Sequence, residues 1–255
     1  MKPVLIVQTG AAPAELCARM GDFPHWFRVA MALRSAQVRS VRVDHEQALP
    51  PPRMLAAAVI TGSGAMVSER LPWSERTAGW IRDAMDVGLP LFGVCYGHQL
   101  MAHALGGRVD YHPQGREIGT QTITLLPGAA QDPLLQRLRD GFAAHTTHEQ
   151  SVLEPPRGAQ VLARSAHDAH QILRYGAAAI STQFHPEFSV AAMQAYIRRR
   201  ADLLTTEGFD VPALLAAARP TPQARRLLRA FVRAALQDAA APAAVPAAAR
   251  QTRAA

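Results

Sequence analysis

Three short runs in this chain are almost wholly apolar: Val4 to Val7, Ala56 to Ile60 and Leu89 to Val94. A run of that length without polar alternation predicts a strand buried on both faces. The first two stop at Thr9-Gly10 and at Gly62-Ser63-Gly64, and the third passes through Gly93 into Cys95-Tyr96-Gly97. Helical stretches lie around them: Pro13 to Met20, Pro24 to Ser35, Ser74 to Val87 and Gly97 to Leu105. The third carries Trp80, Ile81, Ala84 and Met85 at helical spacing, and Gly88 and Gly106-Gly107 close the last two. Val38 to Val43, interrupted by Arg39 and Arg42, predicts a strand nearer an edge. Strand alternating with helix predicts an α/β protein, a parallel sheet covered on both faces.

Beyond Gly106 the pattern changes to β. Ile118 to Leu126 alternates, and Val161 to Ala163, Gln171 to Tyr175 and Ala178 to Gln183 predict further short strands. Asp132 to Arg139 is expected as a helix with Asp132 at its N-cap and Pro133 at its first position. Ser189 to Leu204 is expected to be helical, and Thr221-Pro222 to open a final helix. In that helix Leu227, Leu228, Phe231, Val232 and Leu236 form one apolar stripe. From residue 239 the chain is nearly all Ala, Pro and Arg, too poor in large apolar groups to offset the entropy of ordering, so disorder is expected over 239–255.

The formal charge of +7 and the 27 basic residues suggest at first an anionic partner. Their positions argue otherwise. Seven arginines between Arg219 and Arg253 face one acid, Asp238, which leaves 20 basic and 19 acidic residues over 1–218. A nucleic-acid partner would have to use the tail, which has no interleaved aromatics apart from Phe231, and the expectation is against one. No apolar stretch approaches the ~20 residues that span a bilayer, so no membrane partner is expected. Two distant cysteines, Cys17 and Cys95, and an N-terminus without a signal-peptide pattern predict a reduced, cytoplasmic protein.

The chemistry concentrates in Leu91-Phe92-Gly93-Val94-Cys95-Tyr96-Gly97-His98-Gln99. A buried strand entering Gly-x-Cys-x-Gly and then a helix is a nucleophile elbow with sulfur in place of oxygen. The glycines relieve crowding around the turn, and unpaired N–H groups at the helix end favour thiolate. The competing reading, an inert buried cysteine, explains neither glycine. A cysteine nucleophile needs a base and the base an orienting group, and Gln183-Phe184-His185-Pro186-Glu187-Phe188 supplies both at a strand end. No pair among the ten histidines has convincing metal-ligand spacing, so neither metal nor cofactor is expected. Cys17 is expected to pack within a helix, and His98 to be structural or exposed.

The motifs GVCYGHQ and QFHPEF resemble those of the class I (triad) glutamine amidotransferases, G-x-C-x-G-x-Q and a downstream H-P-E, from about Val4 to about Tyr196. The resemblance implies a flavodoxin-like three-layer α/β sandwich with a central, mostly parallel sheet. It implies Cys95 as nucleophile, His185 as general base and acid, and Glu187 as its orienting carboxylate. The Gly62-Ser63-Gly64 turn resembles the family's oxyanion turn, with Ser63 N–H, or alternatively that of Gly64, and Tyr96 N–H as donors. Gly62, Gly64 and Gln99 would line the substrate pocket. Gly115-Arg116-Glu117-Ile118-Gly119 is similar to a segment of freestanding members related to the amidotransferase domain of GMP synthase. His148 falls where relatives carry His-Gly-Asp, but Glu149-Gln150 follow it, and no catalytic role is assigned to it.

These implications predict an amidotransferase domain over 1–205 and a C-terminal helical extension over 206–238. The expected activity is hydrolysis of the glutamine side-chain amide through a cysteinyl thioester, with ammonia passed to a separate synthase. A γ-glutamyl peptidase or hydrolase needing no ammonia acceptor is the alternative, and a catalytically silent regulatory protein on the same fold a third. The sequence contains neither a Ser-Gly-Gly-x-Asp-Ser loop nor a GxxxxGK[ST] loop, so GMP synthesis by this chain alone is not expected.

Overall fold

The apolar runs become strands because their alternate side chains have two separate cores to fill. In the computed structural model, which describes residues 2–138 and 140–240, they form β1 (Val4–Gln8), β3 (Ala57–Ile60) and β4 (Leu91–Val94), with β2 (Val38–Arg42) beside β1. Val4, Ile6, Ala57, Val59, Phe92 and Val94 enter one core, and Leu5, Val7, Ala58, Ile60 and Leu91 the other. Helices α1 (Ala14–Met20) and α2 (Phe23–Met31) cover the first face. Helices α3 (Pro72–Asp86) and α4 (Tyr96–Ala104) cover the second. Asp22 caps α2 through its carboxylate, and the helix ends where Ala32 turns left-handed at φ 58°, short of Ser35.

The chain continues through β5 (Arg108–Tyr111), β6 (Glu117–Leu125), β7 (Phe142–His148), β8 (Gln150–Glu154), β9 (Gln160–Arg164), β10 (Ile172–Arg174) and β11 (Ala179–Thr182). Among the described residues one sheet has nine strands in the order β2-β1-β3-β4-β11-β10-β9-β6-β7, and β5 pairs with β8 in a second. The five strands from β2 to β11 are parallel neighbours, and β10, β9, β6 and β7 extend them antiparallel. The chain reverses direction of winding between β1 and β3, the position at which open α/β sheets place their ligand sites. This is the three-layer α/β sandwich the sequence predicts.

Residues 132–138 do not form the expected helix. The Asp132 carboxylate does accept the N–H groups of Leu134 and Leu135 as a cap would, but both its oxygens are also gripped by Arg174 at 2.8 and 2.9 Å. In place of a helix the chain makes turns over 133–138, Arg139 lies outside the described residues, and Gly141 has φ 68°. β7, β8 and the short α7 (Val211–Ala217) have no counterpart among the elements expected from sequence.

The region after β11 holds α5 (Val190–Arg199), α6 (Ala201–Thr206), α7 and finally α8 (Pro222–Ala240). Leu227, Leu228, Phe231 and Val232 of α8 are buried in the first core, with Leu236 partly buried beside them. The ring of Phe231 lies 5.2 Å from that of Phe92 on β4. The segment expected as an extension therefore shares its core with the central strand. Arg226 and Arg233 lie off the buried stripe, and both are exposed. Residues 239 and 240 complete α8, and the rest of the stretch expected to be disordered, 241–255, lies outside the described residues. Truncating Phe231 to alanine is expected to lower unfolding free energy by about 3–5 kcal/mol. Arg233→Ala should change it by no more than about 0.5 kcal/mol, both read from denaturant midpoints.

Candidate active site

Cys95 sits where β4 turns into α4, with φ 53° and ψ −105°. A side chain in the left-handed region is strained, and such strain persists only where neighbours over-determine it. They do so here. Cys95 N–H donates to Thr182 O at 2.9 Å, Gln99 N–H to Cys95 O at 3.0 Å and Gly97 N–H to Thr61 O at 3.1 Å. Gly93 and Gly97 permit the tight packing: a Cβ on Gly93 would lie 2.5 Å from Gly97 O, and one on Gly97 would collide with the backbone of Ile60. The thiol is thereby presented at the first turn of α4.

The His185-Pro186-Glu187 segment follows β11, the parallel neighbour of β4. His185 N–H donates to His145 O on β7 at 2.8 Å, which sets the backbone. The imidazole stacks on Phe188 with centroids 4.1 Å apart, and Nδ1 donates to Glu187 Oε1 at 2.7 Å. Nε2 is buried and finds no other nitrogen or oxygen partner among the described residues. A Cβ placed on Gly62 would lie 3.2 Å from His185 Cε1 and 3.7 Å from Cys95 Cβ, so the two side chains meet at that glycine. Arg225 of α8 reaches behind the segment and donates to the carbonyls of Phe188 and Glu187 at 3.2 and 3.5 Å.

Burial pushes the Cys95 thiol up, yet the positive charge of His185, with a lesser part from His148, outweighs it and the net direction is down. His185 is opposed by its own burial but raised by Glu187 and Cys95. An imidazolium–thiolate pair is the state these shifts favour. His148 is a second buried cation. Its Nε2 faces Glu117 at 2.9 Å and its Nδ1 the carbonyl of Gln150 at 3.0 Å, so both nitrogens meet acceptors and both carry protons. Burial alone would lower its pKa, but Glu117 and Asp168 raise it.

The other predicted positions divide. A Cβ on Gly62 would meet His185 and Cys95, whereas one on Gly64 would meet nothing within 4 Å. Ser63 Oγ accepts the Ala65 N–H at 3.1 Å and closes the turn. The Tyr96 phenol bonds Ser74 Oγ at 2.6 Å, and its ring packs on Trp73, fixing the start of α4. Gln99 is buried, and its amide nitrogen donates to Gln150 O at 2.6 Å and Gln183 Oε1 at 3.0 Å, tying α4 to β8 and to the end of β11. His98 is fully buried on Ser181 at 2.7 Å, and burial pushes its pKa down to about 3, which makes it a neutral structural group. Sequence reasoning misses Thr147, whose carbonyl lies 4.0 Å from Cys95 Sγ, and Thr9 and Thr61, whose hydroxyls reach the Gly62 carbonyl. Among the described residues no cluster of His, Cys, Asp and Glu has metal-holding geometry, and no helix is long and apolar enough to cross a membrane.

Fold and site together define a cysteine-dependent α/β enzyme. The sequence model of the glutamine amidotransferase class-I family matches residues 22–202, and the chain belongs to that family of glutamine-hydrolysing enzymes. A GMP synthase (glutamine-hydrolysing) of Thermomicrobium roseum is 30% identical over 196 residues, 77% of this chain and 33% of that protein. The chain spans about a third of the length of such relatives. A glutamine amidotransferase structure from Thermotoga maritima superposes with TM-score 0.70 at 20% identity, covering 93% of this chain and 98% of that one. One from Methylobacillus flagellatus gives 0.69 at 22% identity, covering 91% and 95%. At those identities the two structures speak for the fold alone.

The opposed shifts of the two thiols give a direct expectation. Cys17 is raised above the ordinary value of 9.0, chiefly by burial, and Cys95 lies below it. The rate of Cys95 alkylation by iodoacetamide should therefore reach its plateau at lower pH than that of Cys17, and His185→Ala should move the Cys95 midpoint upward. Peptide-resolved mass spectrometry across a pH series checks both.

Proposed function

We propose that Cys95 is the nucleophile, His185 the general base and acid, and Glu187 the orienting carboxylate for hydrolysis of the glutamine side-chain amide. The supporting observation is the left-handed Cys95 meeting, at Gly62, an imidazole whose far nitrogen is held by a carboxylate at 2.7 Å. The thiolate adds to the amide carbonyl carbon, and the oxygen takes up the negative charge. Ser63 N–H and Tyr96 N–H are the donors assigned to that oxygen, main-chain groups that need no reorganisation as charge develops. Collapse breaks the C–N bond, and His185 Nε2–H supplies the proton with which ammonia departs. The neutral imidazole then takes a proton from water as the water oxygen attacks the thioester, and glutamate leaves with Cys95 restored as thiolate.

The ammonia is assigned to a separate synthase. The chain's relatives include GMP synthases (glutamine-hydrolysing), and that likeness supports a glutaminase unit that supplies ammonia to a synthase. Gly62, Gly64 and Gln99 are assigned to the substrate side of the site.

Glutamate release from glutamine and from a panel of γ-glutamyl peptides tests this reading. Cys95→Ala is expected to lose activity by at least about 1,000-fold and Glu187→Gln to lose roughly 100-fold in kcat. Glutamine should be used in preference to the peptides; a reversed preference would replace the amidotransferase reading with a γ-glutamyl hydrolase.

A further inference from the structure

Two threonine hydroxyls hold the Gly62–Ser63 peptide from one side, and the strand order fixes which side that is. Thr9 follows β1 and Thr61 follows β3, and β3 lies between β1 and β4. The hydroxyls of Thr9 and Thr61 each lie 2.9 Å from Gly62 O. Thr61 Oγ1 accepts the Thr9 N–H at 3.1 Å, which leaves its own hydrogen for the Gly62 carbonyl. Thr9 Oγ1 is also 3.0 Å from Thr61 O. Both residues are fully buried, so each hydroxyl must bond within the protein; the two hydroxyls lie 3.1 Å apart, and the Gly62 and Thr61 carbonyls are the remaining acceptors given for them. The end of β1 is packed hard against the turn: a Cβ on Gly10 would lie 2.8 Å from Ser63 Oγ.

A trans peptide is planar, with its C=O and the following N–H directed oppositely. With the Gly62 carbonyl fastened on the β1 side, the following Ser63 N–H is directed away from β1, and β4, which leads into Cys95, is the strand on the other side of β3. The other carbonyl of the turn, Thr61 O, meanwhile accepts the Gly97 N–H and ties the same turn to the elbow. We infer that Thr9 and Thr61 are positioning residues that lock the Ser63 N–H in the oxyanion-holding orientation, so that the hole stands assembled without a partner. The inference rests on the proposed thioester mechanism and deepens it. It also assigns a task to Thr9, a residue outside the matched family region of 22–202.

Valine in place of threonine removes the hydroxyl and keeps the branched shape. In the full chain, Thr9→Val is expected to lower kcat for glutamate release about tenfold or more, with KM changed by less than about twofold. Alkylation of Cys95 by iodoacetamide, a displacement that creates no oxyanion, should keep its wild-type rate, and Thr9→Ser should restore kcat. Thr61→Val, run in parallel, should show the same split and serves if Thr9→Val does not fold. A role confined to structure would slow alkylation and raise KM along with the fall in kcat. That pattern overturns the inference, as does an unchanged kcat in the valine variants. A wild-type chain that alkylates readily yet releases no glutamate also overturns it, because the hole is then not assembled alone, and leaves the thioester reading standing. Undiminished glutamate release by Cys95→Ala is the separate result that removes the thioester reading itself.

Discussion

The left-handed backbone at Cys95 is the constraint on which the rest of the site depends. A side chain held at φ 53° and ψ −105° is strained by about 1–3 kcal/mol, and it stays there because three elements hold it at once. The end of β11 accepts its N–H, α4 donates to its carbonyl, and the turn after β3 takes the Gly97 N–H two residues further on. Those elements also carry the rest of the chemistry: β11 leads to His185 and Glu187, α4 begins with the Tyr96 N–H, and the turn after β3 contains Gly62 and Ser63. The strain is therefore the local cost of bringing the Cys95 thiol, the His185–Glu187 pair and the turn after β3 together.

Electrostatics then sets the protonation state. A thiol this deeply buried would ordinarily be neutral. Two buried imidazolium groups counter that tendency, His185 supported by Glu187 and His148 by Glu117 and Asp168. The surroundings of His185 draw in two further helices. Phe188 stacks on the imidazole and meets the edge of Trp26 on α2, while Arg225 binds the carbonyls of Glu187 and Phe188 from α8. The last helix thus joins the core at Phe92 and the His185-Pro186-Glu187 segment at Arg225, and part of the basic excess has a place in the structure. The net charge says little about partners.

How much of the fold is legible in the sequence depends on the kind of pattern each element leaves. β1, β3 and β4 are apolar on both faces, so composition alone exposes them, and the glycines around Cys95 mark a turn that nothing bulkier permits. β7 is hidden because its residues, Phe-Ala-Ala-His-Thr-Thr-His, include buried polar groups: His145 and Thr146 are fully enclosed without being apolar. Asp132 misleads for a related reason. Its capping chemistry is present, but a strand residue 42 positions away, Arg174, claims the same carboxylate. Thr9 and Thr61 read as strand-end punctuation, and only the pairing of β1 with β3 shows that residues 52 positions apart share one carbonyl.

The proposed chemistry stands or falls on a covalent bond at one sulfur. Acid quenching of the enzyme during turnover of isotopically labelled glutamine, followed by peptide mass spectrometry, tests it most directly. The peptide containing Cys95 should carry one labelled glutamyl group, lost on mild treatment with hydroxylamine as a thioester is, and the peptide containing Cys17 none. Turnover with label on neither peptide, or label on Cys17 alone, would contradict a thioester at Cys95.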